Sequence, residues 1–223
     1  MATATVLYTV DDTEHGRSQG PERRARVRPA LAVVSRGMAA DDDERLMARV
    51  GQGDAAACAA LVHRHLGRMV AFAARVLGDA AEAEDVAQDV FERVWTTAPR
   101  WEPRAKLSTW LHRVAMNLCL DRIARRREQA LDEVPEPLDP KPSLLSAAVA
   151  SDLGRHVQAA LLALPERQRL AITLCHHQGF SGREAAEILG VGERALESLL
   201  SRGRRAMRER LRLVAADHVE EGR

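Results

Sequence analysis

The sequence is poor in aromatic residues and has no long hydrophobic run. Aromatic residues make up 3% of its 223 residues, while Ala, Leu, Arg and Glu dominate. Glycine and proline are infrequent within the segments that show helical periodicity. That composition favours an all-α protein.

Cysteines are also few, and their spacing excludes several classes of site. None of the three belongs to a C-x-x-C pair, which argues against a disulfide framework and against a zinc site and fits a reducing cytoplasm. No apolar run approaches the roughly 18 residues that a membrane-spanning helix needs. Acidic residues within 11–14 interrupt any apolar core of a signal peptide. We therefore expect a cytoplasmic protein with no membrane insertion and no cofactor or metal. The cysteines are Cys58, Cys119 and Cys175.

Charge is distributed unevenly along the chain, although the net charge is only +1. Residues 79–92 carry six acids and no base, and residues 128–154 carry six acids and one base. By contrast, residues 104–127 carry seven bases and one acid, and residues 202–212 carry six arginines and one acid. Two separate basic blocks suggest two contacts with a polyanion. The alternative is that each block is a solvated helix face.

Periodicity and breaks predict two small helical domains. Residues 1–40 show no sustained periodicity and are predicted to be a disordered extension, and Met38 is a candidate native start. The first domain, 41–127, is predicted to have helices near 43–51, 54–77, 80–98 and 107–127, with Asp54 and Asp79 as N-caps.

An acidic, proline-rich segment separates the two predicted domains. Residues 128–149 contain four prolines among acids, which predicts a linker. The second domain, 150–213, is predicted to have helices near 151–163, 166–178, 182–189 and 193–213. Residues 214–223 are left as a tail.

The second domain contains the spacing of a helix-turn-helix. Ser181 and Glu184 form a capping-box pattern, and Gly190 stands where a tight turn needs a positive φ. Ala186, Gly190 and Leu196 have the expected small–glycine–apolar spacing. Because the second helix ends in arginines, DNA binding is favoured over a plain helical hairpin.

On this interpretation residues 193–205 form the recognition helix. Arg194 is a candidate reader of guanine, and Glu197 a candidate acceptor from cytosine N4. Arg202, Arg204 and Arg205 are better suited to phosphates. The exposed side chains early in the helix are predicted to be Glu193, Arg194, Glu197, Ser198 and Ser201.

The helix predicted from residue 107 has two functional faces on a helical wheel. Its core face holds Leu107, Leu111, Val114, Ala115 and Leu118. An adjacent line of side chains, here called the α4 stripe, consists of Lys106, Trp110, Arg113 and Asn117. The stripe combines a stacking surface, two cations and a base-reading amide, the set that single-stranded nucleic acid requires. The alternative is a tryptophan at the core margin with solvated neighbours.

Three motifs in order resemble a known family. They are "AEDVAQDVFERVW", "LSTWLHRVAMNLCLDRIARRR", and "GFSGREAAEILGVGERALESLLSRGRRAMR" preceded by "LPERQR". Together they resemble regions 2.2, 2.3–2.4 and 4 of a group 4 (extracytoplasmic function, ECF) sigma factor of the sigma-70 family. The resemblance covers about residues 41–212.

The resemblance implies binding to core RNA polymerase, recognition of promoter DNA, promoter melting and transcription initiation of a stress-type regulon. It implies contacts with the β′ clamp helices and the β flap, and control by an anti-sigma factor. The implied polymerase-docking residues are Glu84, Asp85, Gln88, Asp89, Glu92 and Trp95. The implied −10 residues are the α4 stripe together with Thr109, Arg122, Arg125, Arg126 and Arg127. The implied −35 residues are Arg183 and the recognition-helix residues Glu193, Arg194, Glu197, Ser198, Ser201, Arg202, Arg204 and Arg205.

One residue departs from the family pattern, and several alternatives to the sigma-factor interpretation stay open. Where the family often has a basic residue in the recognition helix, this chain has Glu197, which puts direct transfer of −35 contacts in doubt. A sigma-like protein that sequesters an anti-sigma factor is one alternative, and a plain helix-turn-helix regulator is another. An enzyme is the weakest alternative, because His63, His65 and the Cys175–His177 run lack further ligands at metal-binding spacing.

Overall fold

The computed structural model describes residues 42–132 and 152–221, and within these ranges the protein is helical without a strand. The first half consists of α1 (42–51), α2 (Ala55–Leu77), α3 (Ala80–Thr97), a 3₁₀ turn (Ala98–Arg100) and α4 (Leu107–Asp132). The second half consists of α5 (Asp152–Leu162), α6 (Glu166–Ile172) continued by a π turn (Thr173–His177), α7 (Gly182–Leu189) and α8 (Glu193–Glu221). The predicted all-α fold is confirmed. The predictions for residues 1–40, including the Met38 start, fall outside the described residues.

The predicted helix ends of the first half are formed by local capping. Asp54 accepts a hydrogen bond from the backbone of Ala57, and Asp79 accepts one from Glu82. Gly78 ends α2 with φ of 76°, a left-handed conformation that glycine adopts without steric cost. The N-caps predicted at Asp54 and Asp79 are therefore confirmed.

A buried polar contact joins α1 to α2. The Asp43 carboxylate lies 2.9 Å from Nε2 of His65 and 2.5 Å from the Arg64 guanidinium. Burial opposes ionisation of Asp43, but the hydrogen bonds from His65 and Arg64 outweigh it and lower its pKa. This pairing fixes the short first helix on the bundle.

Two helices are longer than predicted. Helix α4 continues through Asp132, so the first five residues assigned to the linker are helical. These residues, "EQALD", are acceptable in a helix, and the first proline after them is Pro135. Helix α8 runs to Glu221 rather than ending at 213, so most of the predicted tail is helical as well.

The two halves pack against one another. Phe180 of the second half and Phe72 of α2 contact opposite sides of His112, with ring centroids 4.6 and 5.4 Å from the imidazole. Arg169 donates to the Val76 carbonyl at 2.5 Å, and Gln158 donates to the last turn of α2 at 3.4 Å. These side chains satisfy carbonyls that a helix end leaves without partners. Most buried residues of both halves consequently form one core, and Leu161, Leu164 and Ile172 form a second, smaller cluster in the second half.

Candidate nucleic-acid interface

The α4 stripe lies on one side of its helix, as the wheel predicts. Leu107, Leu111 and Ala115 are almost fully buried beneath it. Lys106, Arg113 and Asn117 are exposed and Trp110 is half-buried. Thr109, which was predicted with them, is only 3% exposed.

A groove of about 380 Å³ opens beside the stripe and adds residues that sequence reasoning missed. Its walls include Trp110, Thr109 and Arg113 from α4, and Arg100, Trp101 and Arg104 from the turn and loop before α4. We call it the Trp groove. Two indoles and three guanidiniums therefore surround one opening, together with Glu102 and Glu187, and Arg104 pairs with Glu102 at 2.7 Å. The available signal was Trp101 with Arg100 before it and Arg104 three residues after it, in a proline-bounded segment that the helical wheel did not cover.

The arginines at the end of α4 are engaged within the protein. Arg122 lies 2.9 Å from Asp89 and 3.4 Å from Asp85. Arg126 lies 2.6 Å from Glu82, and Arg127 lies 2.5 Å from Glu166. Arg125 is exposed, and among these four arginines it is the one that forms no ion pair within the described residues. A role for all four in holding phosphates stays a prediction, and the geometry favours Arg125.

The helix-turn-helix has the predicted local geometry. Ser181 accepts from the backbone of Glu184, whose carboxylate accepts in return from the backbone of Ser181, so the capping box is confirmed. Gly190 has φ of 64°, and Ala186 and Leu196 are buried. All nine residues that were predicted to contact the −35 element have exposed side chains. They are Arg183, Glu193, Arg194, Glu197, Ser198, Ser201, Arg202, Arg204 and Arg205.

Comparison with known proteins decides the family. Sigma-70 region 2 matches residues 61–129, and Sigma-70 region 4 matches residues 155–207. The chain is 33% identical over 175 residues to the ECF RNA polymerase sigma factor SigW of Bacillus subtilis, covering 74% of this chain and 94% of SigW. The present chain therefore belongs to the family of ECF RNA polymerase sigma factors.

Two further relatives agree with this assignment. The ECF sigma factor SigE of Mycolicibacterium smegmatis is 35% identical over 157 residues, which cover 68% of this chain and 60% of SigE. A solved structure of the sigma factor RpoE with the anti-sigma factor NepR from Bartonella quintana superposes with a TM-score of 0.56. The two sigma chains are 28% identical, over 68% of this chain and 94% of that one. This sigma factor therefore acts in transcription initiation with core RNA polymerase and promoter DNA.

The acidic helix of this sigma factor presents a mixed acidic and apolar surface. Glu84, Gln88 and Glu92 are exposed on α3, and Trp95 keeps 43% of its surface accessible. They border an apolar groove that also includes Leu66, which is 40% exposed. Asp85 and Asp89 lie on the adjacent face and pair with Arg122.

No metal centre is formed by the residues that the structure describes, since no three His, Cys, Asp or Glu side chains cluster there. The three cysteines are free thiols, and burial raises the pKa of Cys119 to about 12. In the same described ranges no helix is long and apolar enough to cross a membrane.

Proposed function

We propose that this sigma factor reads promoters with two separate surfaces. The α4 stripe and the Trp groove hold the unpaired −10 strand, and the exposed face of α8 binds the −35 duplex. The observation that carries this proposal is the clustering of Trp101, Trp110 and three arginines around one groove, with Asn117 further along the same stripe.

The chemistry of the Trp groove suits an unstacked strand. Melting DNA costs on the order of 1–2 kcal/mol per base-pair step in lost stacking. A protein without ATP offsets that cost by stacking bases on aromatic rings, each worth about 1–3 kcal/mol. Trp101 and Trp110 provide the rings, while Arg100, Arg104 and Arg113 neutralise phosphates. Asn117 is then available to hydrogen-bond a base edge.

The α8 surface suits duplex DNA. Arg194 and Glu197 are exposed near the start of the helix, where a recognition helix contacts base edges. Arg202, Arg204 and Arg205 follow about one to three turns later and are suited to the phosphate backbone. Ser198, Ser201 and Arg183 would fix the register through further polar contacts.

The α3 surface is proposed to dock on the polymerase. Exposed Trp95 beside Glu84, Gln88 and Glu92 offers an apolar anchor with an acidic rim, which fits a basic helical partner such as the β′ clamp helices. The second half would contact the β flap. Asp85 and Asp89 add negative charge to the α3 surface, and both carboxylates pair with Arg122.

Regulation by an anti-sigma factor is part of the proposal. It is supported by the likeness to RpoE, which was solved in complex with the anti-sigma factor NepR. The proposed setting is the bacterial cytoplasm, where the protein would serve a stress-type regulon.

In vitro transcription tests the proposal. Purified sigma factor and core polymerase are incubated with genomic fragments, and transcript 5′ ends are mapped. The proposal expects discrete start sites that share upstream −10 and −35 sequences. A variant with Trp101→Ala and Trp110→Ala should lose these starts although it still binds core polymerase. Starts that appear equally with core enzyme alone would reject the proposal.

A further inference from the structure

The last residue of α1 meets the backbone of the turn that leads into the Trp groove. Gly51 is helical and half-buried, and a Cβ added to it would lie 2.8 Å from the carbonyl oxygen of Ala98 and 3.2 Å from its carbonyl carbon. These are backbone atoms, which cannot yield as the end of a flexible side chain can. Because Gly51 has no Cβ, α1 and the 3₁₀ turn (Ala98–Arg100) can approach this closely.

The same carbonyl oxygen anchors Trp101. The backbone N–H of Trp101 donates to the Ala98 carbonyl oxygen at 3.2 Å, and this bond closes the 3₁₀ turn. Ala98 is only 6% exposed, so the turn is seated in the protein. Two successive contacts, Gly51 to Ala98 and Ala98 to Trp101, therefore connect the end of α1 to an indole of the Trp groove.

Trp101 borders a second groove as well as the Trp groove. The second groove has a volume of about 450 Å³, and its α1 wall includes Met47 and Ala48. Trp101 is half-buried and packs against the edge of the main core. Since open space borders the residue in both grooves, side-chain packing restrains the ring only in part. The position of the ring therefore depends strongly on its backbone anchor at Ala98.

We propose that Gly51 is a positioning residue for the −10 strand, because it lets α1 seat the Ala98 carbonyl where Trp101 presents its indole to an unpaired base. The proposal rests on the proposed function of the Trp groove. Stacking requires the base and the indole to touch over their faces, and a gap of about 0.5 Å already forfeits roughly a quarter of the contact energy. A small displacement of the turn is therefore enough to weaken the stack.

Gly51→Ala in the full chain tests the positioning. Alanine is the better helix former, so α1 should keep its helix while the added Cβ displaces Ala98. Gly67→Ala is the matched control, because Gly67 is also helical and its added Cβ meets nothing within 4 Å. Val76→Ala shortens a buried side chain of α2 and controls for a general loss of stability, which urea unfolding measures for every variant.

Two readouts are compared. With 5-fluorotryptophan in place of the three tryptophans, ¹⁹F NMR of the free protein gives one resonance for each, assigned by replacing each tryptophan with phenylalanine. Anisotropy gives the affinity of each holoenzyme for a single-stranded oligonucleotide that spans the −10 region of a mapped start site, and for a −35 duplex.

Gly51→Ala should move the Trp101 resonance and leave that of Trp95 in place. It should weaken single-strand binding roughly fivefold, the effect of one impaired base–aromatic stack. Its affinities for core polymerase and for the duplex should equal those of the wild type. Gly67→Ala and Val76→Ala should keep both the Trp101 resonance and the single-strand affinity.

Wild-type single-strand affinity in Gly51→Ala, a weaker affinity with an unmoved Trp101 resonance, or an equal loss in Val76→Ala would overturn the positioning role. Trp101→Ala separates this failure from failure of the proposed function. If Trp101→Ala loses single-strand affinity while Gly51→Ala keeps it, only the positioning role is wrong. If Trp101→Ala binds the strand as well as the wild type does, the assignment of the Trp groove is wrong, and the positioning role is wrong with it.

Discussion

His112 should make the stability of the folded protein depend on pH between about 4 and 6.5. The imidazole is 1% exposed, and burial lowers its pKa from 6.5 to about 4. It donates from Nδ1 to the Ser108 carbonyl, and Nε2 lies 3.4 Å from the Gln178 amide. Arg68 and His65 nearby disfavour a further positive charge. The neutral ring is therefore the form that the fold selects.

The sign and size of the effect follow from linkage. Between these two pKa values the unfolded chain binds a proton at His112 that the folded chain does not bind. The contribution of His112 to the free energy of unfolding is therefore fully present above pH 6.5 and is lost as the pH falls toward 4. From pH 7 to pH 5 the loss from this residue is about 2 kcal/mol. Glu184, with a pKa of about 2, contributes its loss mainly below pH 4.5.

Urea unfolding at pH 7 and pH 5 measures the effect. His112→Gln should remove the part of the wild-type difference that comes from this residue and leave the part that comes from His177, whose pKa burial also lowers to about 4. His63→Gln, on an exposed site of α2, should keep the whole difference. In parallel, an NMR titration of the wild type should show His112 still neutral at pH 5. A titration midpoint near 6.5, or an unchanged pH dependence in His112→Gln, would show that His112 is not held neutral by the fold.

Three further predictions concern the DNA surface, the turn and the α3–α4 ion pairs. Arg204→Ala should weaken duplex binding evenly across sequences and lower the slope of log affinity against log salt by about 1; a sequence-dependent loss would contradict a phosphate role. Gly190→Ala should lower the free energy of unfolding by about 1–2 kcal/mol because of its left-handed φ, while Gly192→Ala, with open space around its Cβ, should not. Arg122→Gln should lower stability by about 1 kcal/mol by releasing its carboxylates, whereas Arg125→Gln should leave urea unfolding unchanged and weaken DNA binding.

Local sequence rules predicted the helices and the α4 stripe well. Capping and periodicity depend on residues a few positions apart, so Asp54, Asp79 and Ser181 could be assigned from the chain alone. The buried face of α4 and its exposed neighbour follow from the same helical period. The ordered motifs then identified the family, which the comparisons confirm.

Contacts between segments that are distant along the chain could not be predicted from the sequence. Periodicity shows which face of α4 is exposed but not what lies opposite, so the pairing of Arg122 with α3 and the covering of Arg113 by α7 were not predicted. Trp101 was missed because it stands in a loop without periodicity. The end of α4 was placed too early because residues 128–149 were assigned as a whole to a proline-rich linker, whereas the helix continues to Asp132 before the first proline.

Footprinting of a single promoter tests the division between the two DNA surfaces most directly. Holoenzymes with wild-type, Asn117→Ala and Arg194→Ala sigma factor are compared for permanganate-reactive thymines at −10 and for nuclease protection at −35. We predict that Asn117→Ala loses −10 reactivity but keeps −35 protection, and that Arg194→Ala first loses −35 protection. Full −10 reactivity with Asn117→Ala, or unaltered −35 protection with Arg194→Ala, would contradict it.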